Sequence, residues 1–155
     1  MRISQKGFTL TELLATIAII SILSSVTIVS LNSLMPTLRL KGGARQLISD
    51  IRKTQGWAVE EQNIHQIKLT INSGSYTLER VENPAEIRET VALPRNIFVS
   101  NLSANIVGGE IRFNAAGGSL NYLNAPLGEA TITLINQKGS RLNIIISPSG
   151  TAKIQ

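Results

Sequence analysis

A chain of 155 residues, 43% apolar and 16% charged, is long enough for one compact domain plus one membrane-length segment and too short for two ordinary domains. Its formal net charge of +5 is scattered without a block of like charges, so charge alone names no nucleic-acid or polyanion partner. The lack of cysteine excludes disulfides, thiolate metal sites and cysteine nucleophiles, and a single histidine, His65, is poor material for a metal centre.

From Phe8 to Leu38 the only ionisable side chain is Glu12, in a run dominated by Leu, Ile, Val, Ala, Ser and Thr. As a helix, the 24 residues from Phe8 to Leu31 would reach about 36 Å, enough to cross a hydrocarbon core of about 30 Å. A cleaved secretory signal fits poorly, because the run is too long and ends in Asn32-Ser33-Leu34-Met35-Pro36 and not at a small-residue site. A plain signal anchor fits the length but leaves Glu12 unexplained, since a carboxylate in lipid usually marks a paired or functional position. Small residues at Thr11, Ala15, Ala18, Ser21, Ser24 and Ser25 would let helix backbones approach closely in a membrane.

The stretch Lys6-Gly7-Phe8-Thr9-Leu10-Thr11-Glu12-Leu13-Leu14 resembles the class III leader of type IV pilins and pseudopilins: a short basic leader, a glycine, a phenylalanine, and a glutamate four residues on. The resemblance implies that a membrane-embedded prepilin peptidase removes residues 1–7 by cutting between Gly7 and Phe8 and methylates the Phe8 amine. A glycine before the helix leaves the backbone open to a protease. Loss of Arg2 and Lys6 would lower the net charge to 5 − 2 = +3. The new ammonium at Phe8 would lie four residues from Glu12, which is expected to neutralise an amine of its own chain or, as the family implies, of a neighbouring subunit. Implied partners are other pilins through the N-terminal helix, the prepilin peptidase, an inner-membrane assembly platform and membrane lipid. The implied location is the bacterial inner membrane, single-pass, with the C-terminal domain extracytoplasmic. Flanking charge does not help with orientation, because Arg39, Lys41, Arg45, Arg52 and Lys53 follow the run while only Arg2 and Lys6 precede it.

Four segments follow: the leader 1–7, an assembly helix 8–35, an amphipathic helix within 36–62, and a β region 63–155. Pro36 is expected to kink or end the first helix, with a second break at Lys41-Gly42-Gly43. Ala44, Leu47, Ile48, Ile51 and Ala58 then form an apolar stripe predicting a helix over about 44–62, with Trp57 as a core or edge anchor. From Ile64 the period changes to two, and 64–71 with 75–81 around Asn72-Ser73-Gly74 read as a hairpin, with the His65 imidazole on the polar, exposed face. Glu82 to Glu89, with Pro84, reads as a surface loop. Further strands are predicted at 97–102, 110–114, 130–136, 141–147 and 151–154, separated by Gly- and Asn-bearing turns. The fold class is therefore α+β, a long N-terminal helix packed on an antiparallel β domain.

Ile111-Arg112-Phe113-Asn114 followed by Gly117-Gly118, then Lys138-Gly139-Ser140-Arg141 and Ser149-Gly150-Thr151-Ala152-Lys153, resembles the C-terminal half of the H-type minor pseudopilins and FimT-type minor pilins. That resemblance implies two small sheets against the helix, and a minor pilin or pseudopilin that starts or caps a fibre. Some FimT-type proteins bind DNA through a basic C-terminal tail. The candidate contacts here are Lys138, Arg141 and Lys153, although Thr151 stands where the family has arginine.

No enzyme motif, metal site or cofactor loop is present. Gly42-Gly43 and Gly108-Gly109 read as hinges, and Glu60-Glu61, about 100° apart on a helix, read as a solvated helix end and not as an acid/base pair.

Overall fold

The computed structural model describes residues 7–82 and 84–155, without the side chains of residues 26–33. The expected leader, residues 1–7, falls outside the described residues except for Gly7. The chain forms two compact units, Met1–Met35 and Pro36–Gln155.

Helix α1 covers Leu10–Glu60 and contains Pro36. The expected breaks at Pro36 and Gly42-Gly43 are absent, since helical structure runs through both. A proline removes one backbone bond, and the helix resumes at once on a buried stripe. Gly43 acts as a contact and not as a hinge: a Cβ there would lie 3.1 Å from Pro94 Cδ, so the missing side chain lets the helix press on the loop before Ile97. In the second unit Leu40, Ala44, Leu47, Ile51, Thr54 and Ala58 are buried at spacings of three and four, which places one face of the helix in the core. Thr54, the polar member, is satisfied by donating to the Asp50 carbonyl at 2.8 Å.

Strands β1 (His65–Leu69), β2 (Ser75–Arg80), β3 (Glu86–Ala92), β5 (Glu110–Phe113) and β6 (Ser119–Leu120) form an antiparallel sheet in the order β3-β2-β1-β5-β6. A second antiparallel sheet has the order β4-β7-β8-β9, with β4 at Ile97–Leu102, β7 at Ala130–Asn136, β8 at Arg141–Ile146 and β9 at Ala152–Ile154. Ile67, Leu78, Ile111 and Phe113 of the first sheet join Val99, Ile132, Leu134 and Ile144 of the second and the α1 stripe in one core. Gln55 fastens the helix to both sheets' turns, its Nε2 donating to the Gly117 carbonyl at 2.5 Å and the Ser149 carbonyl at 3.2 Å.

The β1–β2 hairpin forms in the expected place, with Leu69 opposite Tyr76 and His65 opposite Arg80. Asn72, at φ 62°, takes the left-handed turn position in place of Gly74. The segment expected as a surface loop, 82–89, instead enters β3, which pairs with β2 at the sheet edge and has a register shift between Leu78 and Glu79. Five of the seven β3 side chains are exposed and only Val91 packs against the core, so no strong apolar alternation marks the strand, and backbone pairing holds it.

His65 is buried and not exposed. It shares strand parity with Ile67 and Leu69, and β1 is flanked on both sides, by β2 and β5, so the face carrying those three residues turns inward. Its ring lies 6.0 Å from that of Trp57, and its Nε2 lies 3.1 Å from Glu61 Oε2. Gly108 and Gly109 have φ of 67° and 76°, and a Cβ on Gly109 would fall 1.9 Å from the Leu69 carbonyl oxygen. That pair is a close backbone approach to β1 and not a hinge.

Candidate functional site at the N-terminus

Helix α1 begins with a reciprocal cap. The Thr9 carbonyl accepts the Leu13 N–H at 3.2 Å, making Thr9 the N-cap. Thr9 Oγ1 accepts the Glu12 N–H at 3.3 Å, while Glu12 Oε2 accepts the Thr9 N–H and the Thr9 hydroxyl, each at 2.9 Å. This is the Thr-x-x-Glu capping box, in which two otherwise unsatisfied backbone donors are met. The sequence signal for Thr9 is its spacing of three to Glu12. Only one carboxylate oxygen is used: Glu12 Oε1 has no partner among the described residues.

Gly7 and Phe8 precede the cap in non-helical backbone, and Phe8 is 84% exposed. Nothing lies within 4 Å of where a Gly7 Cβ would be, so no contact in the fold requires glycine there. Between Leu13 and Ser25 the helix that follows carries no charged side chain. Leu10, Leu13, Leu14, Ile17, Ile20 and Leu23 are all more than half exposed. Three of its hydroxyls turn back on the helix: Thr16 donates to the Leu13 carbonyl at 2.8 Å, Ser21 to Ile17 at 2.8 Å and Ser25 to Ile22 at 2.7 Å. A hydroxyl satisfied in this way presents no unmet donor to an apolar surrounding.

Among the described residues no helix is long and apolar enough to cross a membrane. The stretch Leu10–Ser25 alone is 16 residues, about 24 Å, short of a core of about 30 Å. The rest of the apolar run falls on residues 26–33, whose side chains lie outside the described set.

The motif Ile111-Arg112-Phe113-Asn114 resolves into structural roles. Phe113 is fully buried in the core. Arg112 donates to Gln66 Oε1, Asn124 Oδ1 and Glu110 Oε2, each at 3.0 Å, and Gln66 in turn donates to the buried Glu79 at 2.6 Å. Asn114 Oδ1 accepts the N–H groups of Ala116 and Gly118 and so shapes the turn into β6. Glu61 is not a free solvated residue, since its Oε2 meets His65, Arg88 at 2.9 Å and Arg80 at 4.0 Å.

Of the three candidate basic residues, Arg141 and Lys153 stand apart along the second sheet. Lys153 lies opposite Ile145, four residues along β8 from Arg141, or roughly 13 Å at about 3.3 Å per residue. Lys138 belongs to the turn between β7 and β8, where its N–H donates to Asn136 Oδ1. No group of three or more His, Cys, Asp or Glu positioned for a metal occurs among the described residues.

Residues 2–28 match the prokaryotic N-terminal methylation motif. The chain's fold is type IV pilin-like. Its structure is similar to the type IV minor pilin FimU of Pseudomonas aeruginosa, with a TM-score of 0.60 at 14% identity over 75% of this chain and 87% of that one. It is also similar to the minor pseudopilin EpsH of the Vibrio cholerae type 2 secretion system, with a TM-score of 0.58 at 7% identity over 76% of this chain and 96% of that one. A second EpsH crystal structure gives a TM-score of 0.56 at 8% identity, over 75% and 92%. At these identities the shared property is the fold: a long helix on two antiparallel sheets. No curated protein sequence matches the chain.

Proposed function

We propose that this chain is a minor pilin or pseudopilin, a structural subunit that starts or caps a type IV pilus or a type II secretion pseudopilus. The observation that carries the reading is the combination at the N-terminus: an open Gly7-Phe8 bond, a Thr9–Glu12 cap, and a first stretch of helix on which Leu10, Leu13, Leu14, Ile17, Ile20 and Ile22 are all more than half exposed. Apolar side chains exposed in this way need lipid or other helices to cover them, and a fibre subunit needs both in turn. In this reading the full run Phe8–Leu31 is a single span of the inner membrane, the domain from Pro36 onward is extracytoplasmic, and an assembly platform passes the subunit into the fibre.

Prepilin peptidase would cut at Gly7-Phe8 and methylate Phe8. The fold makes no use of glycine at position 7, so its identity is left for the protease to require. Glu12 then serves twice, holding its own helix start through Oε2 and offering Oε1 to the Phe8 ammonium of a neighbouring subunit. The test is Glu12→Gln, in cells that assemble the fibre. The variant should be processed normally, yet recovered with sheared fibres at a level lower by at least about tenfold, because a neutral side chain leaves the incoming ammonium unpaired in an apolar bundle. Normal recovery would remove the pairing role.

A further inference from the structure

Where helix α1 begins decides whether the Gly7-Phe8 bond lies inside it. A helix continued back through Phe8 would give the Glu12 N–H to the Phe8 carbonyl and the Thr9 N–H to the Gln5 carbonyl, each four residues earlier. Both donors are held by side chains instead. Thr9 Oγ1 takes the Glu12 N–H at 3.3 Å, and Glu12 Oε2 takes the Thr9 N–H at 2.9 Å. Leu13 N–H to the Thr9 carbonyl, at 3.2 Å, is then the bond that opens the helix. Gly7, Phe8 and Thr9 are non-helical, and neither the Gly7 carbonyl nor the Phe8 N–H has a hydrogen-bond partner among the described residues. The peptide between them is unpaired on both sides, the state in which an extended segment can pair with the main chain of another protein.

The position of this stop matters because the residues before it offer others. Gly7 and Ser4 are the next upstream residues of a type that caps helices. A helix begun at either would engage the Gly7 carbonyl with the Thr11 N–H and take Phe8 into its first turn. An apolar surrounding favours such an extension, since backbone groups left unpaired there have no water to turn to.

We propose that Thr9 is a positioning residue for cleavage: its cap stops α1 at Leu10 and so holds the Gly7-Phe8 peptide extended for a peptidase. The role rests on the pilin reading. Hydrolysis consumes one water and leaves a carboxylate on Gly7 and an amine on Phe8, and Thr9 takes no part in that bond change. The cap and the charge at position 12 are separable, because a glutamine there keeps an oxygen acceptor for the Thr9 N–H while losing the negative charge.

The test follows cleavage of the full chain in detergent micelles by a purified prepilin peptidase, with kcat/KM read by mass spectrometry and the Phe8 Cα chemical shift read on the uncut chain. Thr9→Val keeps the branched shape and loses the hydroxyl. It should be cut at least about fivefold more slowly, with the Phe8 shift moving toward helical values. Thr9→Ser and Glu12→Gln retain the cap and should stay within about twofold of the parent. Adding Leu10→Pro to Thr9→Val should bring cleavage back to within about twofold of the parent, because proline is accepted at the first helical position and holds the residue before it extended. That rescue separates a stopped helix from direct recognition of the hydroxyl by the peptidase. Cleavage of Thr9→Val at the parent rate, slower cleavage with an unmoved Phe8 shift, or a double variant that stays slow would each overturn the role of the cap. A parent chain left uncut at Gly7-Phe8 would overturn the pilin reading and this role with it, and is scored on the parent alone.

Discussion

One helix carries two surfaces with opposite demands, and equal truncations should separate them. Ile51 is fully buried in the core of the second unit, while Ile20 is 62% exposed on the same helix. Ile51→Ala removes three carbons, worth about 2.4 kcal/mol of transfer at ~0.8 kcal/mol per methylene. The cavity left behind brings the total to about 3.5 kcal/mol, within the range for such core truncations. The second unit spans 155 − 36 + 1 = 120 residues, so an unfolding entropy of about 0.25 kcal/mol/K converts this to a fall of about 14 °C in Tm. Ile20→Ala removes the same atoms from a position with nothing of its own chain to lose and should change the unfolding free energy by less than about 0.5 kcal/mol. The assay is thermal unfolding of the detergent-solubilised full chain followed by Trp57 fluorescence, since Trp57 packs beside His65 in the second unit. An Ile51→Ala chain within about 1 kcal/mol of the parent, or an Ile20→Ala chain destabilised as much as Ile51→Ala, would refute the division of labour along α1.

Burial lowers the His65 pKa below 6.5, with Glu61 opposing the shift through its charge and hydrogen bond. Because the folded pKa is the lower one, the stabilisation from neutral His65 is present above the unfolded value and fades as pH falls from about 6.5 toward the folded value. Denaturant midpoints measured from pH 7.5 to 5 should drop in the parent and drop less in His65→Gln, and parallel profiles would contradict the buried neutral imidazole. Gly109→Ala, which combines a φ of 76° with a Cβ 1.9 Å from the Leu69 carbonyl, should destabilise by about 2 kcal/mol or more, seen as a lowered Tm; a neutral effect would mean the β1 approach is looser than described. Removing the Gln55 amide with Gln55→Ala should lose about 1 kcal/mol and speed hydrogen exchange in the turns at Gly117 and Ser149, where unchanged protection would show that those turns hold themselves.

Much of this was legible in the residues, for identifiable reasons. The α1 stripe showed because burial on one face imposes spacings of three and four at Ala44, Leu47 and Ile51, and β1, β2 and the strands of the second sheet showed because one face of each is apolar. The edge strand β3 did not, because Glu86, Arg88 and Glu89 carry no such alternation and the strand exists through its pairing with β2. His65 is polar by type, which suggests an outer face, whereas its strand parity with Ile67 and Leu69 places it inside. The helix runs through Pro36 and Gly43 against their local breaker character, and the contact of Gly43 with Pro94 that favours this is not a local pattern. At the N-terminus Gly7, Phe8 and Glu12 stood out in the sequence, while the role of Thr9 needed the cap geometry. A small cavity beside Pro36 and Arg39 joins residues up to 102 positions apart, Pro36 to Lys138, and no local pattern marks it.

The pilin account stands most directly on the bond between Gly7 and Phe8. The full chain should be co-expressed with a prepilin peptidase, and the N-terminus of the mature product read by sequencing and mass spectrometry. The account predicts a chain that begins at an N-methylated Phe8, with Gly7 lost. A mature chain that keeps Gly7, or that begins at any residue other than Phe8, would contradict it.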